Sequence, residues 1–201
     1  FMMLLVDMGN SALKWAILDQ DRLSPQQRRP YQTQMANQLT QAWRTLALPL
    51  EGVWVSNVAG DQKAEILTNW VKNHWEFSPT FIKTSHCACG VKNGYQKPEQ
   101  LGVDRWLALV GAHQIEKGWL CVVDCGTAIT LDILSATGHH QGGLIMPGAT
   151  TMQYALKCHT DALAHAEIFF SDKPLRGLTN LENPAAPFSG QPCFNNTLHQ
   201  H

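Results

Sequence analysis

The chain has 201 residues, with 15 Lys and Arg against 16 Asp and Glu, for a formal charge of -1. That balance offers no basic excess for nucleic acid or an anionic membrane, and no apolar run is long enough to span a bilayer. Hydrophobic residues make up 44% of the chain, including seven Trp and seven Phe, enough to core one large domain or two small ones.

The opening FMMLLVDMGN has no basic segment ahead of its apolar run, which stops at Asp7, so it does not read as a signal peptide. MMLLVDMG and ALKWAILD predict two strands joined by a short turn. PYQTQMANQLTQAWRTLAL sets Met35, Leu39, Trp43 and Leu46 near helical spacing. EGVWVSNVAG reads as a buried strand ending in a glycine turn. DQKAEILTNWVKNHW reads as a helix with Ile66, Leu67, Trp70 and Val71 on one face and Asp61 as its N-cap. PTFIKTS is expected to be a strand, and VKNGYQKPEQLG a loop. DRWLALVGAHQIEKG predicts a helix opened by Asp104 and closed by Gly118, with Trp106, Leu109 and Val110 as its core stripe. WLCVVDCGTAITLDILSATG is a second strand-turn-strand, and HHQGGLIMPGA adds a further strand and turn. Strands alternating with helices predict an α/β fold.

The two strand-turn-strand segments resemble each other. LLVDMGNSALKWAILD aligns with CVVDCGTAITLDILS, each with an apolar run, an Asp, one residue, a Gly, and then alternating apolar positions. This looks like a duplicated hairpin with a carboxylate at its bend. Gly9 and Gly126 are expected to take positive φ and let the backbone approach a ligand. Turn amides of this kind suit a phosphate, and the Asp suits a cation that accompanies it.

Several conspicuous residues have plainer readings. His86, Cys87 and Cys89 lack a second Cys/His pair at zinc spacing. His139 and His140 are expected in a solvent-exposed hairpin loop, and Cys125 as a small buried residue. The six cysteines (Cys87, Cys89, Cys121, Cys125, Cys158 and Cys193) show no disulfide framework, which suggests reduced thiols and a cytoplasmic setting.

Four motifs stand in order: DMGNS with Lys14 near the start, GVDR at residues 102 to 105, DCGTAITLD from Asp124 to Asp132, and GGLIMPG at residues 142 to 148. Tyr95 and Pro98 add a Y-x-x-P pattern ahead of the second. In these the chain resembles the type III pantothenate kinases, members of the sugar-kinase/actin/heat-shock-ATPase superfamily. The resemblance implies two ribonuclease H-like (actin-like ATPase) domains related by duplication, residues 1 to 110 and a shortened 111 to 180, with 181 to 201 as coil. It implies phosphorylation of pantothenate by ATP, the first step of coenzyme A synthesis, in a homodimer. Asp104 would be the catalytic proton acceptor; its place at a helix start favours the ionised form. Asp7, Gly9, Asn10, Ser11, Lys14, Gly126 and Thr127 would bind ATP. Tyr95, Gly102, Val103, Asp104, Arg105 and Thr179 would bind pantothenate, with Arg105 holding its carboxylate through a planar fork. Asp7 would hold Mg²⁺, Asp124 would hold K⁺ or NH₄⁺, and Asp132 reads as structural. The segment after Thr179, rich in Pro and Gly, departs from the family's helices and strand. From this the resemblance implies weaker ATP binding and an altered dimer. Two other readings stay open: a non-catalytic regulatory relative that keeps the fold, and a superfamily kinase with another hydroxyl acceptor.

Overall fold

In Met2–Met8 (β1) the side chains of Leu4, Val6 and Met8 are buried while those between them are half-buried. This period of two marks a strand with one face in a core. Ala12–Asp19 (β2) returns antiparallel, setting Asp7 opposite Lys14 and Met8 opposite Leu13. The computed structural model describes residues 2–44, 46 and 50–159. The short strands Arg22–Leu23 (β3) and Gln27–Pro30 (β4) both pair with β2.

Met35–Trp43 (α1) leads to Gly52–Asn57 (β5), which lies parallel to β1. Asp61–Trp75 (α2) then leads to Thr80–Phe81 (β6), parallel to β5. The sheet order is β3-β2-β1-β5-β6, with β4 also on β2. Parallel neighbours need a crossover, and helices α1 and α2 supply it. Both helices cover the sheet through a core that joins Leu4, Val6 and Leu13 to Leu39, Leu67 and Val71. Trp43 stands edge-on to Trp15 at 6.0 Å and to Trp70 at 5.5 Å, and Trp70 donates from Nε1 to Thr40 Oγ1. The amphipathic helix reading holds for α1, which starts at Met35, five residues after the predicted segment opens at Pro30. Asp61 is the first residue of α2 and not its cap; Gly60 precedes the helix in a left-handed conformation that glycine tolerates.

A hairpin of Cys87–Ala88 (β7) and Val91–Lys92 (β8) interrupts the expected loop, and a 3-10 turn at Pro98–Gln100 follows it. Val103–Ile115 (α3) buries Trp106 and Leu109, with Leu101, Val91 and Leu134, in a second core; Val110 packs against it. Leu120–Cys125 (β9), Ala128–Leu134 (β10) and His140–Pro147 (β11) form a sheet ordered β11-β10-β9, and Ala149–His159 (α4) comes last. The chain divides into two compact units. Of the described residues, one comprises those up to Asp124 with Thr130–Leu144, the other Cys125–Ile129 with those from Ile145. Among the described residues, no helix is long and apolar enough to cross a membrane.

Candidate active site

Asp7 lies near the end of β1 on the face opposite Leu4, Val6 and Met8, and the β1-β2 register places Lys14 across from it. Lys14 Nζ donates to Asp7 Oδ2 at 3.2 Å, with each side chain about one-third exposed. The other oxygen, Asp7 Oδ1, is buried and has no hydrogen-bond partner. An unpartnered carboxylate oxygen is costly to bury unless a cation or donor arrives. The bend between the strands is closed by the Gly9 N–H donating to Ala12 O at 3.1 Å, and Asn10 and Ser11 sit exposed at its tip. Gly9 does not take positive φ, and neither does Gly126, which corrects the expectation for both bends. Hydrogen bonds within each bend close it in ordinary backbone geometry. What glycine provides there is a bend with no side chain on it.

Tyr31 is a neighbour that the sequence reading missed. Its N–H donates to Ser11 O, its ring lies 4.9 Å below Lys63 Nζ, and its hydroxyl is buried without a partner. Burial, and secondly the negative charge of Asp7, push the phenol up to about 12. It therefore stays neutral and able to donate.

Asp104 sits in the first turn of α3, after Gly102 at the helix N-terminus. A Cβ on Gly102 would overlap Asp104 Oδ1, so glycine is what lets this carboxylate fold back over the helix start. Oδ1 accepts the Arg105 N–H at 2.8 Å. Burial raises the Asp104 carboxyl above the ordinary aspartate value. The bond from Arg105 opposes that shift, and the charges of Asp7 and Asp124 add to it. Three candidate acids therefore share one electrostatic field. Asp124 itself is exposed. No group of three or more His, Cys, Asp or Glu side chains gathers at metal-binding spacing among the described residues. A site with one or two carboxylates, completed by phosphate oxygens, is how Mg²⁺ is commonly held. The orphaned Asp7 Oδ1 fits that role.

Arg105, next along α3, is neither solvated nor free. It is buried, donating from Nε to Asp132 Oδ2 at 2.7 Å and from Nη2 to Asp132 Oδ1 at 2.6 Å. That pairing, ahead of any opposing effect of burial, holds the guanidinium firmly charged, and Tyr95 adds to it. His140 Nε2 lies 2.8 Å from Asp132 Oδ1, and the histidine is only 3% exposed. The expectation of a solvent-exposed His140 is therefore overturned: β11 begins at this residue and turns it inward onto a buried carboxylate. Tyr95 stacks on His140 with ring centroids 5.8 Å apart. Asn93, also buried, fixes the approach of that tyrosine by accepting the Tyr95 N–H at 3.0 Å. Val103 is buried.

In the second unit, the Gly126 N–H donates to Ala128 O at 2.9 Å, which repeats the closing bond of the first bend. Thr127 O accepts the Gly148 N–H at 2.9 Å and Thr151 Oγ1 at 3.2 Å. A Cβ at Gly148 would overlap Gly126 O and Thr127 O, which accounts for the last glycine of GGLIMPG. Cys125 is only partly buried, not fully as expected. Thr179 lies outside the described residues.

These features define an α/β protein with repeated acid-tipped hairpins and a carboxylate at a helix start. The sequence model of the type III pantothenate kinases matches residues 3–180, and the chain belongs to that family. A type III pantothenate kinase from Nitrosococcus oceani is 43% identical over 165 residues, which is 79% of this chain and 62% of that protein. One from Burkholderia mallei is 40% identical over 194 residues, 94% of this chain and 72% of that protein. The chain thus spans about two-thirds of the length of such relatives. Among solved structures, one described as a Baf family transcriptional activator from Campylobacter jejuni is 24% identical. It covers 86% of this chain and 68% of its own, with a TM-score of 0.44.

Proposed function

We propose that the chain transfers the γ-phosphoryl group of ATP to the primary hydroxyl of pantothenate. The observation that carries this reading is the field shared by Asp7, Asp104 and Asp124, together with the unpartnered Asp7 oxygen. Three like charges with one neighbouring lysine suit cations and a polyphosphate better than they suit a merely structural role.

Phosphoryl transfer depends mainly on positioning and charge stabilisation. Lys14 turns from Asp7 toward the phosphates, and Asn10, Ser11 and the bend amides beside Gly9 line their path. Gly126 and Thr127 take the same part on the second bend. Asp7 would hold Mg²⁺ through Oδ1, and Asp124 would hold K⁺ or NH₄⁺; when bound, these ions offset phosphate charge. Asp104 accepts the proton of the attacking hydroxyl. Its raised affinity for a proton brings it nearer to working pH, which favours a general base. Tyr95, Gly102, Val103, Arg105 and Thr179 form the pantothenate pocket, with Arg105 on the carboxylate. The two actin-like domains, the homodimer and the cytoplasmic setting belong to the same proposal.

A coupled ADP-release assay with pantothenate, ATP, Mg²⁺ and K⁺ tests it. Turnover that falls sharply in Asp104→Asn supports the assignment. No turnover with any acceptor favours the regulatory relative, and turnover with a different small alcohol favours another acceptor.

A further inference from the structure

The buried Arg105–Asp132 ion pair does not use every donor of the guanidinium, and Tyr95 adds a further side-chain interaction with Arg105. A guanidinium carries five N–H donors arranged as forks. Asp132 takes Nε and one N–H of Nη2, which is the side-on fork. The end-on fork, made of Nη1 and the second Nη2 N–H, points away from that carboxylate. Three features hold the arrangement in place. His140 Nε2 sits on the same Asp132 oxygen, so the carboxylate is gripped from two sides. Tyr95 stacks against His140. Gly143 passes so closely that a Cβ there would overlap Asp132 Oδ1, Arg105 Nη2 and Leu131 O. Gly94 similarly admits the backbone oxygen of His140.

We propose that Asp132 and His140 are positioning residues for the substrate: they lock Arg105 side-on so that its end-on fork meets the carboxylate of the acceptor. This rests on the reading that Arg105 holds that carboxylate. A free arginine has many rotamers, and an unpaired buried one is strongly disfavoured. Asp132 removes both problems while taking only two of the five N–H donors. The second glycine of the GG motif is required by this clamp and not by the phosphates.

The test compares kcat/KM for pantothenate with that for its neutral primary amide. Wild type should prefer the acid by roughly a hundredfold, in keeping with charge-assisted pairing. Asp132→Asn should shrink that preference about tenfold through KM for pantothenate, leaving KM for ATP nearly unchanged, and His140→Gln should shrink it less. A folded Asp132→Asn with an unchanged or larger preference would overturn the clamp. If wild type shows no preference for the acid, the carboxylate reading of Arg105 itself fails, whatever Asp132 does. Should both variants fail to fold, the Arg105 Nε–H resonance of wild type decides. It should hold its position when pantothenate is added, and a large shift would mean that the pair breaks on binding.

Discussion

Two ion pairs in the same unit are built in opposite ways. Lys14 and Asp7 face each other across a hairpin, one-third exposed, at 3.2 Å through one oxygen. Arg105 and Asp132 are joined by two short bonds with 6% and 3% of their side chains exposed, and His140 adds a third contact. An exposed single-contact pair is worth about 0.2–1 kcal/mol, so it can open at little cost when a ligand offers either partner something better. A buried bidentate pair resists opening, because parting it strands a charge in a poor solvent. The difference separates residues that exchange partners from residues that hold a shape. It also explains why the lysine lies on a strand beside a bend while the arginine lies on a helix against a sheet.

The largest effect that would sharpen this contrast is on chemistry. Asp104→Asn keeps the size of the side chain but removes the proposed proton acceptor, and kcat should fall by about 10²–10⁴-fold in steady-state assays. Next comes the closed pair. Asp132→Ala leaves Arg105 charged and unpaired, so chemical denaturation should show a loss of about 3–5 kcal/mol. A loss below about 1 kcal/mol would place that pair with the open kind. Lys14→Ala should change stability by less than about 1 kcal/mol, yet raise KM for ATP. A large stability loss without a KM effect would reverse the roles given to the two pairs.

A smaller effect concerns pH. Asp104 binds a proton more tightly in the folded chain than in the unfolded one. Its contribution to stability is therefore full below the unfolded value and is lost as pH rises through the folded one. At neutral pH the ionised group opposes folding, so Asp104→Asn should raise the thermal midpoint at pH 7, with the gain disappearing under strongly acidic conditions. A midpoint lowered at pH 7 would contradict the cost of burying the Asp104 carboxylate beside Asp7 and Asp124. The smallest effect belongs to Tyr31→Phe, which removes an unpartnered hydroxyl and should alter stability by less than about 1 kcal/mol.

Much of this was legible in the residues. The alternation of Leu4, Val6 and Met8 announces a one-sided strand, and Asp7, between the last two, falls on its other face. Trp106 and Leu109 show the buried stripe of α3. The parts that were not legible depend on contacts distant in sequence. His140 looks like a loop residue beside His139 and Gly142, and only its meeting with Asp132, eight residues earlier, makes it a buried one. Arg105 read as a substrate-binding residue, and its pairing with Asp132, 27 residues away, was not legible. Gly94 reads as a loop residue, whereas it and Gly143 are both needed for close approach. Glycine in a motif shows that a side chain is excluded but not what excludes it.

The most direct measurement is phosphorus NMR of the chain incubated with ATP, pantothenate, Mg²⁺ and K⁺. The account predicts a growing phosphomonoester signal on the pantothenate primary hydroxyl with wild type, and almost none with Asp104→Asn. Free inorganic phosphate in place of the ester, or equal ester formation by the variant, would contradict it.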